Sequence, residues 1–268
     1  MGDSHTSMST VKVLAIGDVC ADIGLLALKK MVPHIIETHK VDFVITNCEN
    51  ALNGEGLDAP LASLVLKTGV DVITGGNHSL QDFSLRKTFL EDERILRPAN
   101  ISNVGGAGSV VVNKVGHTFF VINLLGREHL RPVDSPFACV DSLLSAHDNC
   151  ITIIDFHAEL AEEKEAFGAY VDGRVSLVYG THTHVQTADE KILPHGTGYI
   201  TDIGFVGAKN SVIGSRKEYA IEKQRFGFSK KARWLAHGMA LFSGIIATID
   251  TETKKTISLM RILDTVEV

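Results

Sequence analysis

The chain repeats one local design: a short, apolar, β-branched run that stops at a side chain able to bind metal. Val11–Ile16 ends in Gly17-Asp18, Val41–Thr46 in Asn47-Cys48-Glu49-Asn50, and Val70–Thr74 in Gly75-Gly76-Asn77-His78. Cys150–Asp155 ends in Phe156-His157, and Arg174–Tyr179 in Gly180-Thr181-His182-Thr183-His184. Such runs, bounded by Gly and Asn, read as buried strands. Between the first two, from Asp22 to about Lys40, apolar residues at Leu25, Leu26, Leu28, Met31, Val32, Ile35 and Ile36 follow helical spacing. Pro33 falls inside this stretch and is a candidate kink or break. Leu57–Thr68 and Ala158–Tyr170 also read as helices.

The middle of the chain changes pattern. Ser109–Val115 and Thr118–Asn123 predict an antiparallel hairpin, and 126–139 a long loop. Gly198–Asp202 reads as a strand, and Gly244–Asp250 with Thr256–Leu263 as a closing hairpin. The order is βαβαβ, paired strands, βαβ, then strands. It predicts an α/β fold, a mixed sheet or two packed sheets with helices outside, in one domain over residues 11–268. Residues 1–10 read as a disordered tail or expression remnant, with Met8 a candidate native start.

Composition narrows the function. A chain of 268 residues, 44% hydrophobic, can bury a core without staples. Its net charge of −6 argues against broad nucleic-acid binding, which needs a basic face, but admits a small phosphorylated substrate. Cys20, Cys48, Cys139 and Cys150 form no CxxC pair and read as free thiols of a cytoplasmic protein. No apolar run approaches the ~20 residues of a membrane span. No hydrophobic signal region precedes the first strand.

Each strand end alone has an ordinary reading. Asp18 can cap a turn or helix, Glu49-Asn50 can be a solvated loop, Asn77-His78 can be turn chemistry, and a lone His157 can be structural. Together they form a set of carboxylate, amide and imidazole donors at the strand ends, where open α/β sheets gather their ligands. That donor set suits Fe, Mn, Zn or Co rather than Cu(I). On an extended segment His182 and His184 would point to one side and reach one cluster. Glu49, with two oxygens, can bridge two ions. Asp155 and Glu159 are both candidates to accept the second ring N–H of His157.

Gly17-Asp18-Val19-Cys20, Asn47-Cys48-Glu49-Asn50, Gly76-Asn77-His78, His157 and Thr181-His182-Thr183-His184 together resemble the ordered motifs of the calcineurin-like metallophosphoesterase superfamily. Cys20 stands where a metal-binding His is usual, and Glu49-Asn50 replaces an Asp-containing motif. Both departures resemble one branch, the YmdB-like phosphodiesterases. So do Arg97-Pro98-Ala99-Asn100, Asn123-Leu124-Leu125-Gly126-Arg127, His157-Ala158-Glu159 and Gly180 to Asp189. Ala21 and Leu25 stand where the branch usually has Gly and Arg, and Leu80-Gln81 where it has Trp-Asp.

The resemblance implies a four-layer α/β/β/α sandwich of two mixed sheets flanked by helices. It implies two metal ions, iron first, with manganese or zinc as alternatives. Asp18, Glu49, Asn50 and His184 would hold one; Glu49, Asn77, His157 and His182 the other, with Glu49 shared. It implies that His78 is a proton donor and that the substrate is a phosphodiester, such as a 2′,3′-cyclic nucleotide. Three other readings stand beside it: a phosphomonoesterase on the same site, a non-catalytic nucleotide sensor or scaffold, and a serine esterase using Ser4. Ser4 precedes the first strand, and no Asp-x-x-His follows near the C-terminus, which argues against the last. Self-association is left open.

Overall fold

A computed structural model describes residues 9–80, 87–231 and 233–268. Most of the expected tail, Ser4 and Gln81 lie outside the described residues. In chain order the elements are β1 (Thr10–Ile16), β2 (Asp18–Val19), α1 (Ala21–His39), β3 (Phe43–Asn47), α2 (Ala59–Leu66), β4 (Val72–Thr74) and α3 (Thr88–Glu91). Then come β5 (Ser109–Lys114), β6 (His117–Leu125), α4 (Pro136–Leu144), β7 (Ile151–His157), α5 (Ala161–Val171) and β8 (Leu177–Thr181). The chain closes with β9 (Lys191–Ile192), β10 (Gly198–Ile200), β11 (Phe205–Ala208), α6 (Lys217–Phe226), β12 (Met239–Asp250) and β13 (Thr256–Glu267).

The strands form two mixed sheets. One runs β2-β11-β12-β1-β3-β4, with β13 on the other edge of β12; the other runs β5-β6-β7-β8-β10-β9. Alternation along each strand sorts side chains between layers. In β1, Val11, Val13 and Ala15 face the opposite sheet, while Leu14 and Ile16 face α1 and α2. In β7, Ile151 and Ile153 face inward, and Ile154 and Phe156 meet α4 and α5. Both faces of these strands are covered, which is why they read as continuous apolar runs. Phe43 of β3 and Phe119 of β6 stack across the sheet interface, centroids 4.2 Å apart and planes 7° from parallel. The expected α/β/β/α sandwich is present.

Three local expectations need correction. Thr10 is already in β1, paired with Asp250, so the first strand begins one residue before the expected Val11. Pro33 does not split α1, which runs unbroken from Ala21 to His39. Val32 and Ile35 beside it are buried against the sheet, and that packing outweighs one lost backbone bond. Residues 126–139 are not all loop: α4 starts at Pro136, with the Ser135 side chain accepting the Ala138 N–H. Proline at the first helical position is a start signal, because its missing N–H has no partner there anyway.

Candidate metal centre

Pairing of Asn47 with Thr74, and of His157 with Leu125 and Thr181, brings the strand ends level. The loops beyond them therefore open at the same edge of the two sheets. One sheet supplies Asp18, Glu49, Asn50, Asn77 and His78; the other supplies His157, His182 and His184.

The densest convergence surrounds Nε2 of His157. Asn77 Oδ1 lies 3.0 Å from it, His182 Nδ1 3.1 Å and Glu49 Oε1 3.2 Å. The opposite ring nitrogens are already committed. His157 Nδ1 donates to Thr181 Oγ1 at 2.8 Å, and the Thr181 hydroxyl passes the bond to Asp155 at 2.7 Å. His182 Nε2 donates to Glu159 Oε2 at 2.7 Å. With both rings neutral, as metal ligands are, the inward nitrogens present lone pairs to each other and to two oxygens. One proton cannot satisfy four acceptors, whereas a cation can: donors about 2.1 Å from one ion stand about 3 Å apart. Glu49, His157 and His182 offer atoms that all lie within 4.8 Å of one another. These residues fit a metal.

The second group is looser. Asp18 is fully buried; Oδ2 accepts the His182 N–H at 3.1 Å, and among the described residues Oδ1 has no hydrogen-bond partner, the His157 Nδ1 lying 3.9 Å away. An orphaned buried carboxylate oxygen is costly and wants a cation. His184 Nδ1 donates to the Ile213 carbonyl at 3.0 Å, which turns Nε2 inward to lie 3.3 Å from Asn50 Nδ2. The amide nitrogen of Asn50 also meets Glu49 Oε1 at 3.3 Å; a flip of that amide presents its oxygen instead. Cys20 Sγ sits 3.7 Å from His184 Nδ1. The His78 backbone N–H donates to Glu49 Oε2 at 2.8 Å, and among the described residues the buried His78 Nδ1 has no hydrogen-bond partner.

Charge distribution agrees with this geometry. Burial opposes ionisation of Glu49, but His157 and the His78 N–H outweigh it and bring the carboxyl down to about 2. Burial opposes a charge on His157, but Glu49, Asp18 and Asp155 outweigh it and raise its pKa, so without a cation a proton occupies Nε2, the position a metal would take. Burial and that His157 charge push His182 down to about 4, which keeps its ring neutral near pH 7, as a ligand must be. Burial raises Asp18 and pushes Asp155 up to about 6.

The sequence expectation of an extended His182-Thr183-His184 segment is wrong in detail. Both histidines are in the left-handed region, φ 101° and 63°. Their convergence comes from a strained turn. Asp202 holds it by accepting both the Thr183 N–H and hydroxyl, and the buried Lys164 ammonium pairs with Asp202 at 2.8 Å. The alternatives for the His157 partner resolve to Asp155, acting through Thr181, while Glu159 serves His182. Thr181 lies inside the Gly180–His184 motif, but only the fold gives it a role; Lys164, Asp202 and Ile213 carry no readable signal in sequence. Leu25 faces away, lining a groove between α1 and α2 with Pro33 and Leu64.

A two-sheet sandwich with carboxylate, amide and imidazole donors gathered where its strands end defines a phosphoester hydrolase of the calcineurin-like metallophosphoesterase superfamily. Residues 14–262 match the profile of the YmdB-like protein family, and the chain belongs to that family. It is 40% identical over 257 residues to the 2′,3′-cyclic-nucleotide 2′-phosphodiesterase of Bacillus subtilis (strain 168), covering 94% of this chain and 97% of the relative. It is 33% identical over 265 residues to a putative phosphatase/phosphodiesterase of Mycoplasma pneumoniae, covering 93% and 92%. The crystal structure of a novel phosphatase from Mycoplasma pneumoniae superposes with a TM-score of 0.89 at 32% identity, covering 97% of this chain and 95% of that one.

Proposed function

We propose that the chain is a two-metal phosphodiesterase that opens 2′,3′-cyclic nucleotides. The observation that carries this is the convergence of Glu49, Asn77 and His182 on Nε2 of His157, a set of oxygen and nitrogen donors that one cation would bind together. The family and the Bacillus subtilis relative's name support the substrate class. In this reading Asp18, Glu49, Asn50 and His184 hold one ion, and Glu49, Asn77, His157 and His182 the other, with Glu49 shared. Nitrogen and oxygen donors support iron first, then manganese or zinc. The unpaired cysteines support a cytoplasmic setting. The inter-sheet core supports one domain over residues 11–268.

When bound, such ions acidify a water and neutralise the phosphate oxygens. The chain does the rest. Thr181 and Asp155 hold the His157 ring, Glu159 that of His182, and the Ile213 carbonyl that of His184. The His78 N–H fixes Glu49, and the His78 ring, next to Asn77, protonates the departing 2′ oxygen.

The test is metal analysis beside turnover of 2′,3′-cAMP to 3′-AMP. Glu49→Ala loses both metals and activity. His78→Ala keeps metal and loses about 10²–10⁴ in rate, the usual worth of a general acid. Full metal content in Glu49→Ala, or metal loss in His78→Ala, overturns the roles. Hydrolysis of p-nitrophenyl phosphate with 2′,3′-cAMP left intact makes it a monoesterase. Tight nucleotide binding without turnover makes it a sensor.

A further inference from the structure

The segment between β11 and β12 is unlike the rest of the molecule. Both its ends are pinned at the rim of the metal centre. The Ile213 carbonyl holds His184, the Arg216 N–H donates to the Arg233 carbonyl at 2.7 Å, and Arg233 Nη1 pairs at 3.0 Å with Glu55, in the loop that begins at Glu49. Between those pins, residues 217–231 contain no buried side chain, and α6 buries nothing along its ten residues. A helix that contributes nothing to a core is free to carry a surface function.

Its chemistry is distinct. Residues 216–233 carry seven Lys or Arg against two Glu, leaving 19 basic against 30 acidic residues in the remainder of the chain. Among the described residues, Lys217, Lys223, Arg225 and Lys230 are in no ion pair. Phe226 and Phe228 are 58% and 65% exposed, and the Arg225 guanidinium lies 4.9 Å from the Phe226 ring centroid. Exposed rings interleaved with free cations are the surface that single-stranded nucleic acid uses, bases on the rings and phosphates on the cations. At 1.5 Å per residue α6 is about 15 Å long, so the arm lies within a few nucleotides of the metal centre.

We propose that this arm is a docking surface for single-stranded RNA, and that the site acts on RNA 3′ ends carrying a 2′,3′-cyclic phosphate as well as on mononucleotides. The proposal rests on the phosphodiesterase reading above. At the site a water adds to phosphorus, the P–O2′ bond breaks and O2′ takes a proton, leaving a 3′-phosphate on the oligonucleotide. The upstream phosphates and bases lie along Lys223, Arg225, Phe226, Phe228 and Lys230. The arm thus lowers KM for the longer substrate and leaves kcat alone. The 2′ hydroxyl needed to form the cyclic end restricts the partner to RNA.

The experiment uses the full-length metal-loaded protein and an oligoribonucleotide of about eight residues, near the site size of common single-strand binders. The oligomer ends in 2′,3′-cyclic phosphate, and 2′,3′-cAMP is assayed beside it. Expected is a KM at least tenfold lower for the oligomer at about 50 mM salt, with the advantage fading towards about 200 mM. Lys223→Glu with Lys230→Glu removes the advantage and leaves 2′,3′-cAMP kinetics unchanged. Two lost phosphate contacts lower the salt slope of binding by about 1.4. Equal KM values for the two substrates, or an oligomer advantage surviving in the variant, overturn the proposal. So does concentration-dependent self-association abolished by Phe226→Ser, which would make the arm a contact between copies. If 2′,3′-cAMP is never cut, the phosphodiesterase reading fails. Anisotropy of the labelled oligomer on wild type and variant then still decides whether the arm binds RNA.

Discussion

Gly76 shows how tightly single residues are drawn around this centre. A Cβ there would overlap Glu49 Oε2 and the His157 ring, so only glycine lets the two approach. Ala21 shows the opposite: it sits at φ 52°, a conformation a Cβ opposes, at the turn where its N–H meets the Asn50 carbonyl at 3.0 Å. The family resemblance expects glycine at this position. Ala21→Gly should therefore raise stability by about 0.5–1 kcal/mol, seen as a higher urea midpoint at unchanged m-value; a lower midpoint would refute the strain. Thr181 links the His157 ring to Asp155. Thr181→Val should weaken metal binding about 10–100-fold in a calorimetric titration while the fold persists. Unaltered affinity would mean the relay is idle.

At the scale of elements, the centre depends on turns that are held from behind. Lys164 of α5 reaches under β8 to Asp202, and Asp202 grips Thr183 between the two histidines. Breaking a buried pair leaves an uncompensated charge, which costs about 3–5 kcal/mol. Lys164→Met should show that loss in denaturant unfolding. It should also bind metal more weakly, because the His182 and His184 backbones lose the support for their left-handed φ. A stable Lys164→Met variant with normal metal content would show that the turn holds itself. The strands are the readable elements: Val11–Ile16 and Ser109–Val115 lie within one residue of β1 and β5, while Gly244–Asp250 covers only the second part of β12, which begins five residues earlier at Met239. Structure departs from local sequence signals where packing or capping overrides them, at Pro33 and at Pro136.

The whole molecule matters because neither sheet carries the centre alone. Their relative placement is set by the inter-sheet core, with Phe43 and Phe119 stacked in it. Phe119→Ala should cost about 3–5 kcal/mol, as large-to-small core changes do, and lower Tm by roughly 6–20 °C for a chain of this size. Added metal should recover part of the loss, since it binds only the folded arrangement. A Phe119→Ala protein with an unchanged Tm would mean that the sheets are held apart from this contact.

The alternation of apolar runs and the donors that follow them, Asp18, Glu49, Asn77, His157 and His182, were legible because period and residue type are local properties. Which donors face which was not. The inward nitrogen of His157 is selected by Thr181 and Asp155, that of His184 by a carbonyl at Ile213, and the His182 turn by a lysine on α5. Those choices depend on contacts between residues far apart in the chain. Only closing the two sheets upon one another creates them.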